Sequence, residues 1–587
     1  MFECSVNDGR IIFHVDYLNR DRAKSLGAYW DTEKKVWYKE IKRLYSDYEN
    51  VEKIIRLITG AGFNVSDETL KSLDDGILAC DSEINELEEK KRDYNAPQPD
   101  GIMVELRGYQ KAGVQFLDTL DKALLCDDMG LGKTPQSISW ARHKTPALVI
   151  CPGSLKEKWR REVLKFIPGK SVCILSGDKM YYTSNGEDFI ADSEKPGFCA
   201  DYVLVNYDII DRWLGWIGGQ KFNTLIADEA HMIKNPGTQR TVNCLLLSEM
   251  VTNRLVVTGT PILNRPIELF TLLQFLGKVK KADFFWFRKR FCELEERSVP
   301  TYKNKQLVRD ENGKVKMRKS YKVIGAKNPK ALRAMIAPYF LRRLKKEVLK
   351  ELPPKVYENR FTVLSNRKEY ELAERDIVSY IRNTEGSANA DRAEKAIFLS
   401  KLNRLRQLSV AGKMDTVLEL LESLKEHDKK AVIFSTFVDV LDKLKEKLGN
   451  SAVIYTGSHA EQSSIDRFEK DDKCRWFLTT IKKGGVGLDL TQSDTVVFID
   501  FPWTPGDKTQ AEDRAHRYGQ KNTVNVIHII GEDTVDDMIL DILKTKQVII
   551  DQIVDGKDEV KFEDSDMAVE LEKLLIKKHS KNIYKNT

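Results

Sequence analysis

Two series of short apolar, β-rich runs, each run followed by a helical stretch, set the narrowest limit on what this chain can become. The first series is Ala123–Cys126, Leu148–Cys151, Tyr202–Val205, Leu225–Ala227 and Leu255–Val257. The second is Ala431–Phe434, Ala452–Tyr455, Trp476–Thr479, Val496–Ile499 and Val524–Ile530. Strands buried on both faces read as continuous apolar runs, and their alternation with helices marks a parallel sheet covered by helices. Between the series, Gly277 to about Val410 reads as helical and basic. The expected fold is therefore α/β, two parallel-sheet lobes with helical insertions.

The flanks differ in texture. Ile11–Val15 alternates like a strand, Trp30, Trp37 and Tyr38 flank a turn at Asp31–Lys35, and Tyr45–Ile58 has helical apolar spacing. These features predict a small α+β module over 1–75. A charged helix and linker follow over 76–103, ending in Ala96-Pro97-Gln98-Pro99. Lobe one is placed at 104–276, the basic insertion at 277–410, lobe two at 411–545 and a helical tail at 546–587.

Composition narrows the class. Hydrophobic residues make up 41% and charged residues 31%, a globular balance and not a disordered one. No run of about 18 apolar residues is present, and Met1–Arg10 lacks a signal pattern, so we expect no membrane partner. The expected location is intracellular, cytoplasm or nucleoid rather than nucleus. The nine cysteines show no paired Cys-x-x-Cys spacing, which excludes a zinc ribbon and a disulfide framework, and Cys126 and Cys151 read as core thiols. Net charge is +6, but Gly277–Lys330 holds 17 Lys/Arg against 6 Asp/Glu, so that segment alone carries +11. Such a concentration suits a phosphate-backbone contact; a solvated lysine-rich loop gives the same count.

The chemistry-bearing motif follows the first strand: Asp127, Asp128, Met129, Gly130, Leu131, Gly132, Lys133, Thr134. Glycines let the backbone N–H groups curl toward a phosphate, and the N-terminus of the next helix adds partial positive charge. Lys133 suits the β- and γ-phosphates of ATP, and Thr134 suits Mg²⁺. Asp127 stands where the generic phosphate loop has Gly. Asp228 and Glu229 follow the strand Thr224–Ala227, with Asp228 placed for Mg²⁺ through water and Glu229 for the attacking water. ATP and Mg²⁺ are thus the expected cofactors.

Over roughly 104–545 these motifs and their order resemble the Swi/Snf-type helicase-like ATPases of helicase superfamily two. Leu106-Arg107-Gly108-Tyr109-Gln110 is similar to the adenine-recognising element, with Gln110 the reader. Cys151–Leu155 with Trp159 resembles motif Ia, and Thr258-Gly259-Thr260-Pro261 motif III. Tyr339–Arg343 through Leu352–Lys355 resembles the family's helical protrusion and its exit. In lobe two, Val432–Ser435 resembles motif IV, Gly484–Leu490 motif V and Gln510–Gln520 motif VI.

The resemblance implies two RecA-like lobes with ATP held between them. It adds Gly487 and Asp489 as nucleotide-binding positions and Arg517, then Arg514, as the arginine finger. The two arginines fall three apart, so on a helix they share a face. Asp128, Thr504 and Tyr518 depart from the family pattern. The implied function is a double-stranded DNA translocase, with forked DNA as a further partner, coupling hydrolysis to movement on or remodelling of DNA. Fork remodelling or strand annealing is included, since residues 28–38 are weakly similar to the HARP modules of annealing helicases. A strand-separating DNA or RNA helicase, an ATP-gated DNA-binding scaffold and a nucleosome remodeller remain alternatives. The sequence does not identify protein partners.

Overall fold

The computed structural model describes the chain except residues 1, 42–50, 70, 73–85, 87–88, 185–186, 193–199, 260–265, 304–305, 311, 384–391, 458–461, 485–487, 489, 556–566 and 584–587. Four sequence expectations thus lie partly outside the described residues: the start of the 45–58 helix, the charged helix, the end of motif III and the core of motif V.

Lobe one is built on a nine-stranded sheet. Its order is Glu187–Asp192, Lys179–Ser184, Val172–Ser176, Tyr202–Asn206, Ala147–Cys151, Thr224–Asp228, Asn253–Val257, Lys122–Leu125, Phe340–Leu341. The strands from Val172–Ser176 onward run parallel, and the first two form an antiparallel extension. Side chains alternate between faces, so one strand feeds two cores. Leu124 and Cys126 enter the core that contains Trp213 and Phe270; Ala123 and Leu125 enter the one that contains Trp140 and Trp159. Cys126 and Cys151 are both fully buried, as read from their runs.

Lobe two is a wholly parallel six-stranded sheet. Its order is Lys355–Thr362, Val524–Gly531, Thr495–Phe498, Ala431–Ser435, Trp476–Thr480, Ala452–Tyr455. Helices Arg367–Asn383 and Arg392–Gly412 pack on each other beside it, and Lys578 of the terminal helix Met567–Ile583 pairs with Glu374 of the first. The N-terminal module is a five-stranded sheet around Ile11, Phe13, Ile54, Ile58 and Phe63. Its strands Tyr29–Asp31 and Val36–Glu40 form the expected aromatic hairpin, with Trp30 opposite Trp37. Asp31 caps the turn by accepting from the Glu33 and Lys34 N–H groups.

The segment 277–410 is not simply helical. Cys292–Pro300 and Met317–Ala326 pair as a long antiparallel ribbon, Phe340–Leu341 completes the sheet of lobe one, and Lys355–Thr362 opens that of lobe two. The first strand of the ribbon, with three Glu, one Leu and one Arg among nine residues, favours helix locally. Pairing between strands far apart in sequence overrides that preference, as sheet context commonly does. Among the described residues, no helix is long and apolar enough to cross a membrane.

Candidate functional site at the lobe interface

The phosphate loop leaves strand Lys122–Leu125 and turns into helix Lys133–Ala141. Gly130 and Gly132 both hold left-handed φ, at 82° and 71°. A side chain at either would also crowd its neighbours. A Cβ at Gly132 would stand 2.2 Å from Gln110 Nε2, and one at Gly130 would stand 3.2 Å from Arg517 Cγ. Glycine therefore serves here because the backbone must approach what lies over it. Lys133 Nζ donates to the Asp127 and Asp128 carbonyls at 2.9 and 3.3 Å. Gln110 caps its own helix by accepting from Arg107 N–H (3.0 Å) and donates to the Leu131 carbonyl (3.1 Å).

Asp127, which stands where a generic loop has glycine, is fully buried. Its carboxylate meets the Arg343 guanidinium (Nε–Oδ1 3.1 Å), the Arg343 N–H (3.0 Å) and Gln136 Nε2 (3.0 Å). Arg343 also donates to the Tyr109 carbonyl and to Gln136 Oε1. One guanidinium thus ties the loop, its following helix and the Gln110 helix together. Sequence reading noted Arg343 only as part of a family string and missed this tie.

Asp228 ends strand Thr224–Asp228, and Glu229 follows with φ 50°, an uncommon conformation for a residue with a side chain. Trp159 Nε1 donates to Asp228 Oδ2 (2.8 Å), and the Tyr207 hydroxyl donates to the Asp228 carbonyl (2.7 Å). Burial, with Glu229 alongside, pushes the Asp228 carboxyl up to about 6. Burial works the same way on Glu229, yet the His231 ring at 3.3 Å, Lys133 and Arg514 hold it down at about 2. The two carboxylates are therefore unlike: one tuned toward the neutral form, one firmly ionised. His231 was not singled out from sequence, although its place in the Asp-Glu-Ala-His string was legible.

Lobe two supplies the other wall. Helix Pro505–Glu512 starts at Thr504, whose hydroxyl accepts from Asp507 N–H at 3.2 Å, so that departure from the family pattern is an N-cap. The helix stops at Glu512, so Arg514 and Arg517 do not share a helix face as expected. Past it the chain continues in turns: the N–H groups of Arg514 and Ala515 bond three residues back, to the Ala511 and Glu512 carbonyls, and that of His516 bonds four back, to Glu512. Asp513 is gripped by Lys345 (2.9 Å) and Lys355 (2.8 Å), and Gly519 turns the chain at φ 99°. Both arginines still face the cleft. Arg514 donates to the Leu488 carbonyl (3.3 Å) and its charge is felt at Glu229, while Arg517 lies against Gly130. Gly487 and Asp489 lie outside the described residues.

A second bridge closes the cleft. Lys345 Nζ, carried on the exit from lobe one, donates to the His516 carbonyl (2.8 Å) as well as pairing with Asp513. Burial pulls its ammonium down to about 8, against the pull of Asp513. Glu512 takes Lys355 and Lys508; burial opposes its charge, but those lysines hold it at about 2.

The residues fit ATP with Mg²⁺. The glycine cradle would be filled by any Cβ, an ionised and a raised carboxylate lie together, and Glu229 Oε2 is buried without a full hydrogen bond. Among the described residues, no group of three or more His, Cys, Asp or Glu forms an all-protein metal cage.

Residues 109–414 match the SNF2-related domain and residues 412–519 the helicase conserved C-terminal domain. Residues 10–43 match a domain of unknown function. The protein YwqA of Bacillus subtilis (strain 168) is 30% identical over 491 residues, covering 77% of this chain and 49% of its own. A SWI/SNF-related matrix-associated actin-dependent regulator of chromatin subfamily A-like protein 1 homolog of Caenorhabditis elegans is 29% identical, covering 78% and 64%. The DNA annealing helicase and endonuclease ZRANB3 of Bos taurus is 27% identical, covering 78% and 42%. The chain thus spans 42–64% of the length of these relatives. Among solved structures, the Sulfolobus solfataricus SWI2/SNF2 ATPase core in complex with dsDNA is 25% identical, covering 78% of this chain and 95% of that one at a TM-score of 0.36.

Proposed function

The chain belongs to the SNF2-related family, and on that premise we propose that it hydrolyses ATP in the interlobe cleft to translocate on or remodel double-stranded DNA. The observation that carries this reading is the meeting of the two lobes at the phosphate loop, Arg517 against Gly130 and Arg514 beside Glu229. Residues from both lobes then form one site, so occupancy of the site and lobe position are coupled.

In this reading the loop from Asp128 to Gly132, running through Met129, Gly130 and Leu131, cradles the phosphates. Lys133 leaves its own loop carbonyls to reach the β- and γ-phosphates, Thr134 and Asp228 hold Mg²⁺ through water, and Gln110 reads the base. When bound, Mg²⁺ neutralises charge on the transferring phosphoryl group. Glu229, ionised at neutral pH, accepts a hydrogen bond from the attacking water and aligns it. Trp159 fixes the Asp228 carboxylate, and His231 fixes that of Glu229. Arg517 and Arg514 place positive charge opposite the loop only while the lobes are together, and an arginine finger typically contributes about 10³–10⁵ in rate. Loss of the γ-phosphate removes what those guanidinium groups bind, so the lobes part.

A backbone-tracking motor reads little sequence and is strongly salt-dependent. The test is steady-state ATP hydrolysis with no nucleic acid, duplex DNA, forked DNA, single-stranded DNA and RNA, beside a Lys133→Ala control. We expect strong stimulation by duplex DNA that is absent in Lys133→Ala. Stimulation by RNA alone overturns the DNA assignment, and no hydrolysis under any condition overturns the motor. A fork preference that disappears on deleting residues 1–95 would assign fork remodelling to the N-terminal module.

A further inference from the structure

The ribbon Cys292–Ala326 has no role in the nucleotide site and no sheet to belong to. Its register runs from Cys292↔Ala326 at the base to Pro300↔Met317, with a bulge between Glu293 and Leu294. The base is anchored in lobe one. Helix Phe284–Phe291 buries Phe287 and Phe291, the Lys327 N–H donates to the Phe291 carbonyl (3.0 Å), and Asn328 Nδ2 donates to the Arg290 carbonyl (2.9 Å). Past the buried Val323 the ribbon leaves the core. Arg309, Lys314, Lys316, Met317, Arg318, Lys319 and Tyr321 are all exposed. A strand of nine residues reaches about 30 Å. A lone two-stranded ribbon stabilises itself poorly in water, so this one calls for a surface to lie on.

Charge identifies that surface. Arg297–Lys322 contains nine Lys/Arg against two Asp/Glu, while the ribbon's other acids, Glu293, Glu295 and Glu296, sit near its base. Two of these acids, Glu296 and Asp310, are already engaged. Glu296 takes Lys319 (2.8 Å) and the Tyr321 hydroxyl (3.2 Å), and Asp310 accepts from the Asn312 and Lys314 N–H groups in the tip turn. Lys314, Lys316 and Arg318 fall at alternate positions, on one side of an extended segment about 6.6 Å apart. No ion pair among the described residues takes any of the three. With net charge +6 for the chain, everything outside Gly277–Lys330 sums to −5. Positive potential is therefore concentrated on this arm, where it draws a polyanion.

We propose that the ribbon is a second duplex-DNA contact, in which Lys314, Lys316 and Arg318 bind backbone phosphates outside the stretch held between the lobes. A two-stranded ribbon has the width the major groove of a duplex admits, and phosphate contacts from it hold position without reading sequence. The proposal rests on the reading above that duplex DNA is the track.

The test uses the full chain, a labelled 40-base-pair duplex and a salt series, comparing the wild type with Lys314→Ala/Lys316→Ala/Arg318→Ala. Each phosphate contact contributes about 0.9 to the slope of log K against log salt, so loss of three flattens it by roughly 2.7. We expect that flattening, at least tenfold weaker binding near 0.15 M salt, and an unchanged ATPase rate at saturating duplex. The charge-keeping variant Lys314→Arg/Lys316→Arg/Arg318→Lys should bind like the wild type. An unchanged slope with a Kd within twofold of the wild type overturns the ribbon contact, as does weaker binding to RNA with duplex binding intact. A flattened slope in the triple variant, beside a wild type whose ATPase ignores duplex, keeps the ribbon contact and sinks the track reading instead.

Discussion

The Arg107 guanidinium lies 3.2 Å above the centroid of the Tyr518 ring, joining the helix that carries Gln110 to the turn that carries Arg517. The contact crosses between the lobes and borders a cavity of about 520 Å³ lined by Tyr94, Tyr109, Leu349 and Tyr518 among others. Tyr518 is 55% exposed, so the contact contributes about 0.5–1 kcal/mol to lobe closure. That converts to about a two- to fivefold change in the closing equilibrium. We expect Tyr518→Ile, which restores the aliphatic residue of the family pattern, to raise KM for ATP by that factor with kcat within twofold. Tyr518→Phe should keep the wild-type KM. Equal KM for Tyr518→Ile and wild type would show that the stack does not favour closure.

Glu229 should separate binding from hydrolysis. Glu229→Gln keeps the size and a hydrogen-bonding carbonyl but removes the ionised oxygen. A general base or water-positioning group typically contributes 10²–10⁴ in rate. We expect kcat to fall by at least 100-fold while the Kd for ATP, read by a fluorescent nucleotide analogue, stays within about threefold. A variant that hydrolyses at half the wild-type rate would remove Glu229 from the reaction.

The buried pair Asp127–Arg343 gives a stability prediction. Removing one partner of a buried ion pair strands the other charge, at about 3–5 kcal/mol. For a domain of 150–250 residues each kcal/mol moves Tm by about 2–4 °C. Arg343→Leu should therefore lower the melting temperature by roughly 6 °C or more, followed by differential scanning fluorimetry. Asp127→Leu combined with Arg343→Leu should recover part of that loss, because no charge is then left unpaired. A single substitution that leaves Tm unchanged would mean that solvent reaches the pair.

These cases also show what was legible in sequence. The phosphate loop, the Asp228-Glu229 pair and the Gln510–Gln520 string each lie within a dozen residues, and local spacing fixes their chemistry. Asp127–Arg343 joins residues 216 apart, and Trp159–Asp228 joins residues 69 apart, so only the folded sheet brings them together. The ribbon was read as helix because Glu, Lys and Arg carry a local preference that its non-local pairing overrides. Arg514 and Arg517 were placed on a helix by their spacing; the grip of Lys345 and Lys355 on Asp513 accompanies the turns found there.

Acid should weaken lobe two through His528. The ring is buried on the sheet, with Asn359 Oδ1 at 2.9 Å from Nδ1, Tyr357 stacked on it and Phe501 edge-on. Burial, helped by Lys508, pulls its pKa down to about 3, well below the value near 6.5 of a free ring. Between those two values the unfolded chain binds more protons than the folded one, so stability falls as pH drops below about 6.5. The slope approaches roughly 1.4 kcal/mol for each pH unit in the middle of that window and vanishes above it. We expect the melting temperature at pH 4.5 to fall less, relative to pH 7.5, in His528→Phe than in the wild type. Phe keeps the ring but carries no proton, so the comparison isolates the titration from the packing. Identical pH profiles for the two proteins would show that His528 titrates alike in the folded and unfolded chain.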